Sequence, residues 1–240
     1  MILSYLKIEK NNKLKGGLYH KTQVNLAYNS NRIEGSKLTE EQTRYIFETR
    51  TIGFKDQDAL PIDDIIETSN HFVAFDFVID KAEQQLTTTL IKELHRILKS
   101  STADATKHYF KVGDWKTIPN EVGGKETTLL QNVDNEMNML LQWYNTLSKI
   151  EFEHVIEFHY RFEQIHPFQD GNGRVGRLIL FKECLKNNIV PFIIDDSNKQ
   201  YYYRGLREFE QTKGYLTDSC LTAQDAYKEW LKYFYPDLLK

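Results

Sequence analysis

Residues 166–177 read HPFQDGNGRVGR and bring together a histidine, a carboxylate, a glycine-rich turn and two arginines. An apolar run follows this stretch, so the glycine-rich turn is expected to open a helix at Asn172. The free N–H groups at a helix N-terminus attract anions, and glycines let the backbone approach a phosphate closely. The stretch therefore predicts a helical fold that is built around an anion-binding loop.

The side chains of this stretch are those that chemistry on a triphosphate requires. His166 is suited to act as a general base, because the ordinary pKa of histidine lies near working pH. Asp170 can supply an oxygen to Mg²⁺, with Mn²⁺ as an alternative, since such an ion takes one or two protein carboxylates besides phosphates and waters. Arg174 and Arg177 stand three residues apart, so both can grip outer phosphates. Phe168 is expected to be a buried anchor for the loop.

The composition is that of an ordinary globular protein. The 240 residues are 40% apolar and 27% charged, which is enough for one sizeable core. A net charge of -3 gives no general attraction to nucleic acid or to an anionic membrane. The two cysteines lack motif spacing, and the amino terminus lacks the apolar stretch of a signal peptide. We therefore expect a cytoplasmic protein that binds neither nucleic acid nor membrane.

Apolar residues recur at helical spacing along most of the chain, and Thr39 is expected to cap one of the helices. Between residues 113 and 128 this spacing fails, and glycines among β-forming residues predict a short hairpin. The fold class is thus predicted to be all-α with a short β-hairpin. The predicted amphipathic helices cover residues 22–34, 39–50, 63–80, 87–98, 134–147, 155–165 and 172–185.

A second group of residues has the composition of a zinc site but not its geometry. His154, Glu157 and His159 follow one another closely. Histidines five positions apart point roughly 140° apart on a helix, so they cannot share one metal ion. We interpret His154 and His159 as structural residues.

The stretch 166–177 resembles the Fic family signature, His-Pro-Phe-x-x-Gly-Asn-Gly-Arg-x-x-Arg, and matches every specified position. The resemblance covers roughly residues 85–215 and implies the Fic-fold helical bundle, in which the motif loop joins two central helices and the hairpin forms a flap. It implies three parts of one globular unit. They are an N-terminal helical segment (1–84), the Fic core (85–215) and a C-terminal helical segment packed on the core (216–240).

Most relatives in this family transfer AMP from ATP to a hydroxyl of a protein Ser, Thr or Tyr. The resemblance implies that His166 deprotonates the hydroxyl and that Asp170 holds Mg²⁺ between the α- and β-phosphates. Arg174 would contact those phosphates, and Arg177 would hold the γ-phosphate. The backbone that cradles the phosphates would be that of Gly171, Asn172 and Gly173.

Two further regions resemble parts of the family. Residues 113–116 and 122–124 look like the flap, so Val122 and Gly123 would bind the backbone of a target by strand addition. Tyr202 and Tyr203 stand where relatives place aromatic contacts to the adenosine. The resemblance therefore implies protein targets, including the chain itself, and leaves their identity open.

Residues 30–35 read SNRIEG and resemble the family's inhibitory helix motif, Ser/Thr-x-x-x-Glu-Gly/Asn. The inhibitory helix would span about residues 22–35, with Ser30 and Glu34 as regulatory residues. Glu34 can pair bidentately with Arg177 and so occupy the group that should hold the γ-phosphate. ATP would then bind with its α-phosphate misplaced. This resemblance implies an autoinhibited protein adenylyltransferase.

Three alternatives stay open at this point. The chain can be a de-AMPylating phosphodiesterase in which Glu34 aligns or deprotonates a water molecule. It can use another donor such as UTP, because the signature does not select the base. It can also be a non-catalytic nucleotide-sensing module, although that hypothesis predicts a damaged His166 or Asp170 and both are present.

Overall fold

Ten α-helices and one short hairpin make up the part of the chain that the computed structural model describes, residues 2–53 and 59–239. The predicted all-α class with a small extended flap is confirmed. The helices are α1 Ile2–Asn11, α2 Leu18–Ile33, α3 Glu40–Thr49, α4 Ile62–Asp80, α5 Thr88–Lys99, α6 Val133–Asn145, α7 Phe152–Ile165, α8 Asn172–Lys186, α9 Lys199–Arg207 and α10 Gly214–Phe234. The strands are β1 Glu121–Val122 and β2 Lys125–Glu126.

Helix starts follow the capping residues in the sequence. Thr39 caps α3, as predicted, and forms a capping box with Gln42. Thr87 caps α5 by accepting a hydrogen bond from the Leu90 N–H at 3.2 Å. The predicted helix 22–34 begins earlier, at Leu18, because Leu18 and Tyr19 bury their side chains in the core.

Helix α8 differs from the prediction in one respect. The sequence pattern indicated an amphipathic helix, but every residue from Arg174 to Leu185 is buried. The helix lies at the centre of the bundle, with α2, α4, α5 and α7 packed around it. A helix surrounded on all sides has no solvent face, and its polar residues must find partners inside the protein.

Helix α2 is part of the core rather than a surface arm. Eleven of its sixteen residues are buried, and it packs against α4 and α8. Polar contacts add to this packing, since Thr22 hydrogen-bonds Tyr227 of α10 at 2.9 Å. The boundaries at residues 84 and 215, which separate the three parts expected from the sequence, stay predictions. The helices on both sides of these boundaries share one hydrophobic cluster.

The longest helices are amphipathic. Helix α10 has 21 residues, and its buried positions recur every three or four residues, at Leu216, Cys220, Gln224, Tyr227 and Leu231. Helix α4 has 19 residues and buries one face in the same way. Neither these nor the shorter helices of residues 2–53 and 59–239 combine the length and apolar character that crossing a bilayer requires.

The hairpin lies where the sequence predicts it. Strands β1 and β2 pair antiparallel, with Val122 opposite Lys125. Gly123 and Gly124 form the turn with φ values of 58° and 76°. Two consecutive residues with positive φ are the requirement of a tight hairpin turn, and glycine meets it without strain.

Candidate active site

The signature residues form a tight loop between α7 and α8. His166 ends α7 in the left-handed region with φ of 49°, which is strained for a residue other than glycine. Gly171 precedes α8 with φ of 81°. At the start of α8, the Asn172 side chain reaches back to the loop. It accepts a hydrogen bond from the Phe168 N–H at 2.8 Å and donates one to the Phe168 carbonyl at 2.9 Å. Asn172 therefore holds the loop closed with its side chain.

Phe168 anchors this loop, as predicted. It is fully buried and stacks on the ring of His95, with 4.0 Å between the ring centroids. His95 Nδ1 accepts a hydrogen bond from the Gly113 N–H, so the proton lies on Nε2, which donates to the Asp170 carbonyl at 3.2 Å. Burial lowers the pKa of His95 to about 3, which keeps the ring neutral in this role. No pattern in the sequence indicated a role for His95.

His166 is present as a neutral imidazole at neutral pH. Burial lowers its pKa from 6.5 to about 4, and the Lys116 charge acts in the same direction. The sequence interpretation assumed an ordinary histidine pKa, and the structure corrects it. The carboxyl of Glu163 lies 3.9 Å from His166 Nδ1, and burial raises the pKa of Glu163 to about 8. A neutral ring can accept a proton, as a general base must.

Asp170 belongs to a buried network of four charged side chains. Its Oδ2 accepts hydrogen bonds from Lys99 Nζ at 2.6 Å and from Arg174 Nη2 at 3.0 Å. Glu67 of α4 bonds the same two cations from the other side. Burial alone would raise the pKa of Asp170, but the charges of Arg174 and Lys99 outweigh it and hold that pKa below its usual range.

Arg174 is less available than its place in the sequence indicates. Its side chain is almost fully buried, and its guanidinium bonds both Glu67 and Asp170. We expected Arg174 and Arg177 to project together toward phosphates. In the structure, Arg174 instead bonds the carboxylates beneath the loop. It does so because α8 is buried on all sides, and its polar side chains find their partners inside the protein.

The geometry of Asp170 fits a divalent metal ion that is shared with phosphates. The side chain is 45% exposed, and no side chain bonds its Oδ1. Among residues 2–53 and 59–239, no group of three or more His, Cys, Asp or Glu side chains is arranged to hold a metal ion by itself. One available carboxylate oxygen is what Mg²⁺ takes when phosphates and waters complete its shell.

Arg177 is held by both predicted regulatory residues. Its Nη2 donates to Glu34 Oε1 at 2.6 Å and to the Ser30 carbonyl at 2.9 Å, and its Nε donates to Ser30 Oγ at 3.0 Å. The predicted pairing of Glu34 with Arg177 is therefore present, although through one bond rather than two. A side chain at Gly173 would collide with the Glu34 carboxylate. Glu34 thus lies over the first turn of α8, where an anion would bind.

One cavity of about 620 Å³ connects most of the candidate residues. Its volume is within the range of small-molecule sites. The other predicted site residues do not line it, and they hold the loop or belong to the charged network of Asp170. The predicted residues that line it are Glu34, Val122, Gly123, His166, Gly173, Arg177, Tyr202 and Tyr203, and those that do not are Ser30, Asp170, Gly171, Asn172 and Arg174.

The two tyrosines at this cavity differ in their freedom. Tyr202 is buried, and a 2.6 Å hydrogen bond joins its hydroxyl to His159 Nε2. The hydroxyl of Tyr203 donates to the Ile33 carbonyl at the end of α2, at 3.1 Å.

His154 Nδ1 accepts a hydrogen bond from the Glu151 N–H at the start of α7. The structural roles predicted for both histidines are confirmed.

The hairpin is fastened to the signature loop by contacts of Lys116, which the resemblance had placed in the flap, and of Asn120, which the sequence had not indicated. The Lys116 N–H donates to the Pro167 carbonyl at 2.8 Å, and its ammonium donates to Asn120 Oδ1 at 2.8 Å. Asn120 Nδ2 donates in turn to the Phe168 carbonyl at 2.9 Å. Val122 at the tip remains 45% exposed. The flap therefore has a fixed base and an open edge.

Comparisons of sequence connect this site to known proteins. Residues 85–183 match the model of the Fic/DOC family. The Protein adenylyltransferase Fic of Nematostella vectensis is 29% identical over 192 residues, covering 75% of this chain and 42% of that protein. The protein of the same name from Drosophila grimshawi is 29% identical over 189 residues, covering 75% of this chain and 36% of its own length. The chain thus spans less than half the length of these curated relatives.

Comparisons of structure extend over nearly the whole chain. A Fic domain containing signaling protein from Bacteroides thetaiotaomicron superposes with a TM-score of 0.71 at 24% identity, covering 100% of this chain and 93% of that one. A fragment of Fic-1 from C. elegans superposes with a TM-score of 0.75 at 20% identity, covering 96% of this chain and 70% of that one. Identities this low establish the fold alone, and the helical bundle expected from the sequence is confirmed.

Proposed function

This chain carries a Fic/DOC family domain, and from that premise we propose that it is an autoinhibited protein adenylyltransferase. It would transfer AMP from ATP to Ser, Thr or Tyr hydroxyls of proteins, including its own. The observation that carries the proposal is the cavity that His166, Gly173 and Arg177 line together with Glu34, which bonds Arg177. The cytoplasmic location remains a prediction.

The transfer itself follows from the positions of the loop residues. His166 takes the proton of the incoming hydroxyl, whose oxygen attacks the α-phosphorus. The bond from that phosphorus to the bridging oxygen breaks, and pyrophosphate leaves. The N–H groups of Gly171, Asn172 and Gly173 at the start of α8 would hold the phosphates, and the charge of Arg174 beneath them adds to the attraction. Such transfer depends on positioning and charge neutralisation more than on covalent chemistry.

The pH dependence of this base has a defined direction. A base works only while it is neutral, so with a pKa of about 4 His166 remains active from neutral pH down to that value. We expect kcat/KM at saturating Mg²⁺ to stay level between pH 7 and about 5.5, and to fall only as the pH approaches the pKa of His166. A pH–rate profile of the Glu34→Gly protein measures this. A decline centred near 6.5, the ordinary histidine pKa, would contradict the neutral, buried imidazole.

Asp170 would hold Mg²⁺, or Mn²⁺ in its place, through its carboxylate. The bound ion supplies positive charge to the α- and β-phosphates. This assignment is supported by the partial exposure of the Asp170 side chain and by the two cations that keep its carboxylate ionised.

Asp170→Ala is expected to lower AMP transfer to the level that excess chelator produces in the wild-type protein, a loss of about 10²-fold or more. The substitution removes the only carboxylate that is offered to the metal from the signature loop. Asp225→Ala on the exposed face of α10 is the matched control and should keep full activity. Transfer that persists in chelator would show that no metal is needed.

The flap would supply the contact with the target. The exposed edge at Val122 and Gly123 can accept the target backbone as an added strand, which would place its hydroxyl near His166. Tyr203 at the opposite wall would contact the adenosine. Recognition through backbone atoms depends little on the target sequence. Neither the flap nor Tyr203 therefore identifies the target protein.

Labelled nucleotides test the proposed reaction. ATP that carries radioactive phosphorus at the α-position should label the protein, whereas ATP labelled at the γ-position should not. Label from the γ-position would identify a kinase instead. UTP labelled at the α-position distinguishes the alternative donor, because the phosphate contacts do not discriminate between the bases.

Removal of AMP is the second candidate function. It is favoured by the place of Glu34, whose carboxylate lines the same cavity as His166 and is 29% exposed there. A carboxylate in that position can orient a water molecule toward a phosphodiester. If Glu34 inhibits AMP transfer, its loss should raise that transfer. If Glu34 serves AMP removal, its loss should abolish that removal.

A further inference from the structure

A groove of about 500 Å³ lies between α6 and α7, beside the candidate active site. Tyr160, Gln164 and Glu210 line both this groove and the cavity that contains His166. Ile165, which also lines the groove, is the residue immediately before His166. The groove and the active-site cavity therefore share a wall, and the groove comes within one residue of the proposed base.

Helix α6 turns an apolar face toward this groove. Glu136, Met139, Leu140 and Trp143 line it, and they follow the spacing of one helix face. Met139 is 55% exposed and Trp143 is half-buried, whereas Met137 on the core side of α6 is fully buried. An exposed methionine beside an aromatic ring is typical of surfaces that bind apolar side chains of a partner.

The charges around the groove favour an apolar occupant with basic neighbours. Arg161 bonds Glu157, and its guanidinium carbon lies 4.2 Å from the centroid of the Trp143 ring. The charge of Arg161 is therefore already paired. Glu136 and Glu210 add two negative charges to the lining. An apolar side chain flanked by lysines fits this combination of surface and charge.

The hairpin leads a bound polypeptide toward the groove. Glu126 of β2 and the following Thr127 line the active-site cavity, and Thr128 lines the groove. An extended chain advances about 3.3 Å per residue, so a target strand paired with the hairpin would reach the groove a few residues away from the hydroxyl that it presents to His166. The occupant that this path favours is the target polypeptide itself.

We propose that the groove between α6 and α7 is a specificity pocket of the target site, and that it takes a large apolar side chain within about six residues of the modified hydroxyl. The inference rests on the proposed function only in taking His166 as the group that the target hydroxyl approaches. Main-chain pairing with the flap positions the target, and a side-chain pocket adds the sequence preference that such pairing lacks.

Peptides that differ in one apolar residue test the proposal. The probes consist of alanine and lysine, are about twelve residues long, and carry one threonine, serine or tyrosine and a single leucine up to about six residues before or after it. With the Glu34→Gly protein, at least one leucine placement should raise kcat/KM for AMP transfer about tenfold or more over the leucine-free peptide, because leucine leaves water in the groove. No gain at any placement would overturn the proposal.

Variants of Met139 in the Glu34→Gly protein show whether the gain comes from the groove. Met139→Asp places a charge on the apolar face and should reduce the gain from leucine to less than about twofold. Met139→Leu keeps an apolar side chain of similar size and should retain the gain. Leu221→Asp, at a 38% exposed position on α10, is the matched control and should also retain it. A leucine preference that survives in Met139→Asp would contradict the assignment of the groove.

A binding measurement separates this inference from the proposed function. Fluorescence anisotropy of the dye-labelled peptides with the full chain, without nucleotide, should give a Kd at least about tenfold tighter for one leucine placement than for the leucine-free peptide. Met139→Asp should remove this difference. A protein that transfers no AMP, yet binds the leucine peptide through Met139, would contradict the proposed function and leave the groove assigned. Transfer of AMP to these peptides without a leucine preference would do the reverse.

Discussion

His166→Ala is expected to reduce AMP transfer by about 10²–10⁴-fold, because it removes the base that takes the proton of the attacking hydroxyl. Burial keeps the imidazole neutral, so it is able to accept this proton. Binding of ATP should change by no more than a few-fold, because in the proposed function the phosphates would be held by the first turn of α8 and by Arg177. Initial rates of label transfer and a separate nucleotide titration measure the two quantities.

The backbone at this position calls for a second variant. His166 has a positive φ of 49°, which alanine tolerates poorly and asparagine tolerates better. His166→Asn should therefore lose as much activity as His166→Ala while keeping the loop conformation. His108→Ala, at an exposed position far from the loop in sequence, controls for the loss of a histidine. Transfer at the parental rate in His166→Asn would mean that another group is the base.

Glu34→Gly is expected to raise AMP transfer, including self-modification, by at least about tenfold. The carboxylate lies over the first turn of α8 and bonds Arg177, so it would compete with the γ-phosphate for the same guanidinium. A misplacement of about 1 Å at the reacting phosphate can cost on the order of 10²-fold in rate, and removing the competitor restores the productive position. Glu34→Gln keeps the shape without the charge and should release most of the inhibition.

The competition predicts coupling between two positions. In the Arg177→Ala background, Glu34→Gly should bring little further gain, because the guanidinium that it would free is absent. Rates for both single variants and the double variant give the coupling directly. Ser30→Ala should have a smaller effect, since Arg177 retains its bonds to the Ser30 carbonyl and to Glu34. If Glu34→Gly is no faster than the wild type and removal of AMP collapses, the hydrolytic function is favoured.

The position of Glu34 also limits how inhibition can be relieved. Helix α2 buries eleven of its sixteen residues in the core, so it cannot leave the bundle without exposing them. Glu34 itself follows the last turn of the helix and is 29% exposed. We expect relief to come from movement of this side chain or of the helix end. The predicted inhibitory helix is therefore a permanent part of the fold.

The parts of the site that the sequence predicted are local in the chain. The loop at residues 166–177 and the start of α8 depend on neighbouring residues, whose spacing carries the information, and the motif also marked Phe168 as buried although its partner His95 is distant in sequence. The pairing of Glu34 with Arg177 spans 143 positions and was anticipated only through the family resemblance.

The parts that the sequence missed depend on distant partners. Lys99 meets Asp170 across 71 positions, and Arg174 meets Glu67 across 107 positions. A lysine or glutamate on a helical pattern is usually solvated, so nothing in its local sequence indicates a buried network. The burial of α8 on all sides was missed for the same reason. The helices that surround it are distant in sequence, and their positions depend on the whole fold. The lowered pKa of His166 follows from the burial of its own ring, which also depends on the whole fold.

The central claim is that this chain transfers AMP and that Glu34 restrains the transfer. Intact-mass spectrometry of the purified wild-type and Glu34→Gly proteins after incubation with ATP and Mg²⁺ tests it most directly. The prediction is an added mass of one or more AMP groups, each matched by one released pyrophosphate, that accumulates faster on the Glu34→Gly protein. A protein of unchanged mass in both cases, or one that gains the mass of phosphate alone, would contradict the claim.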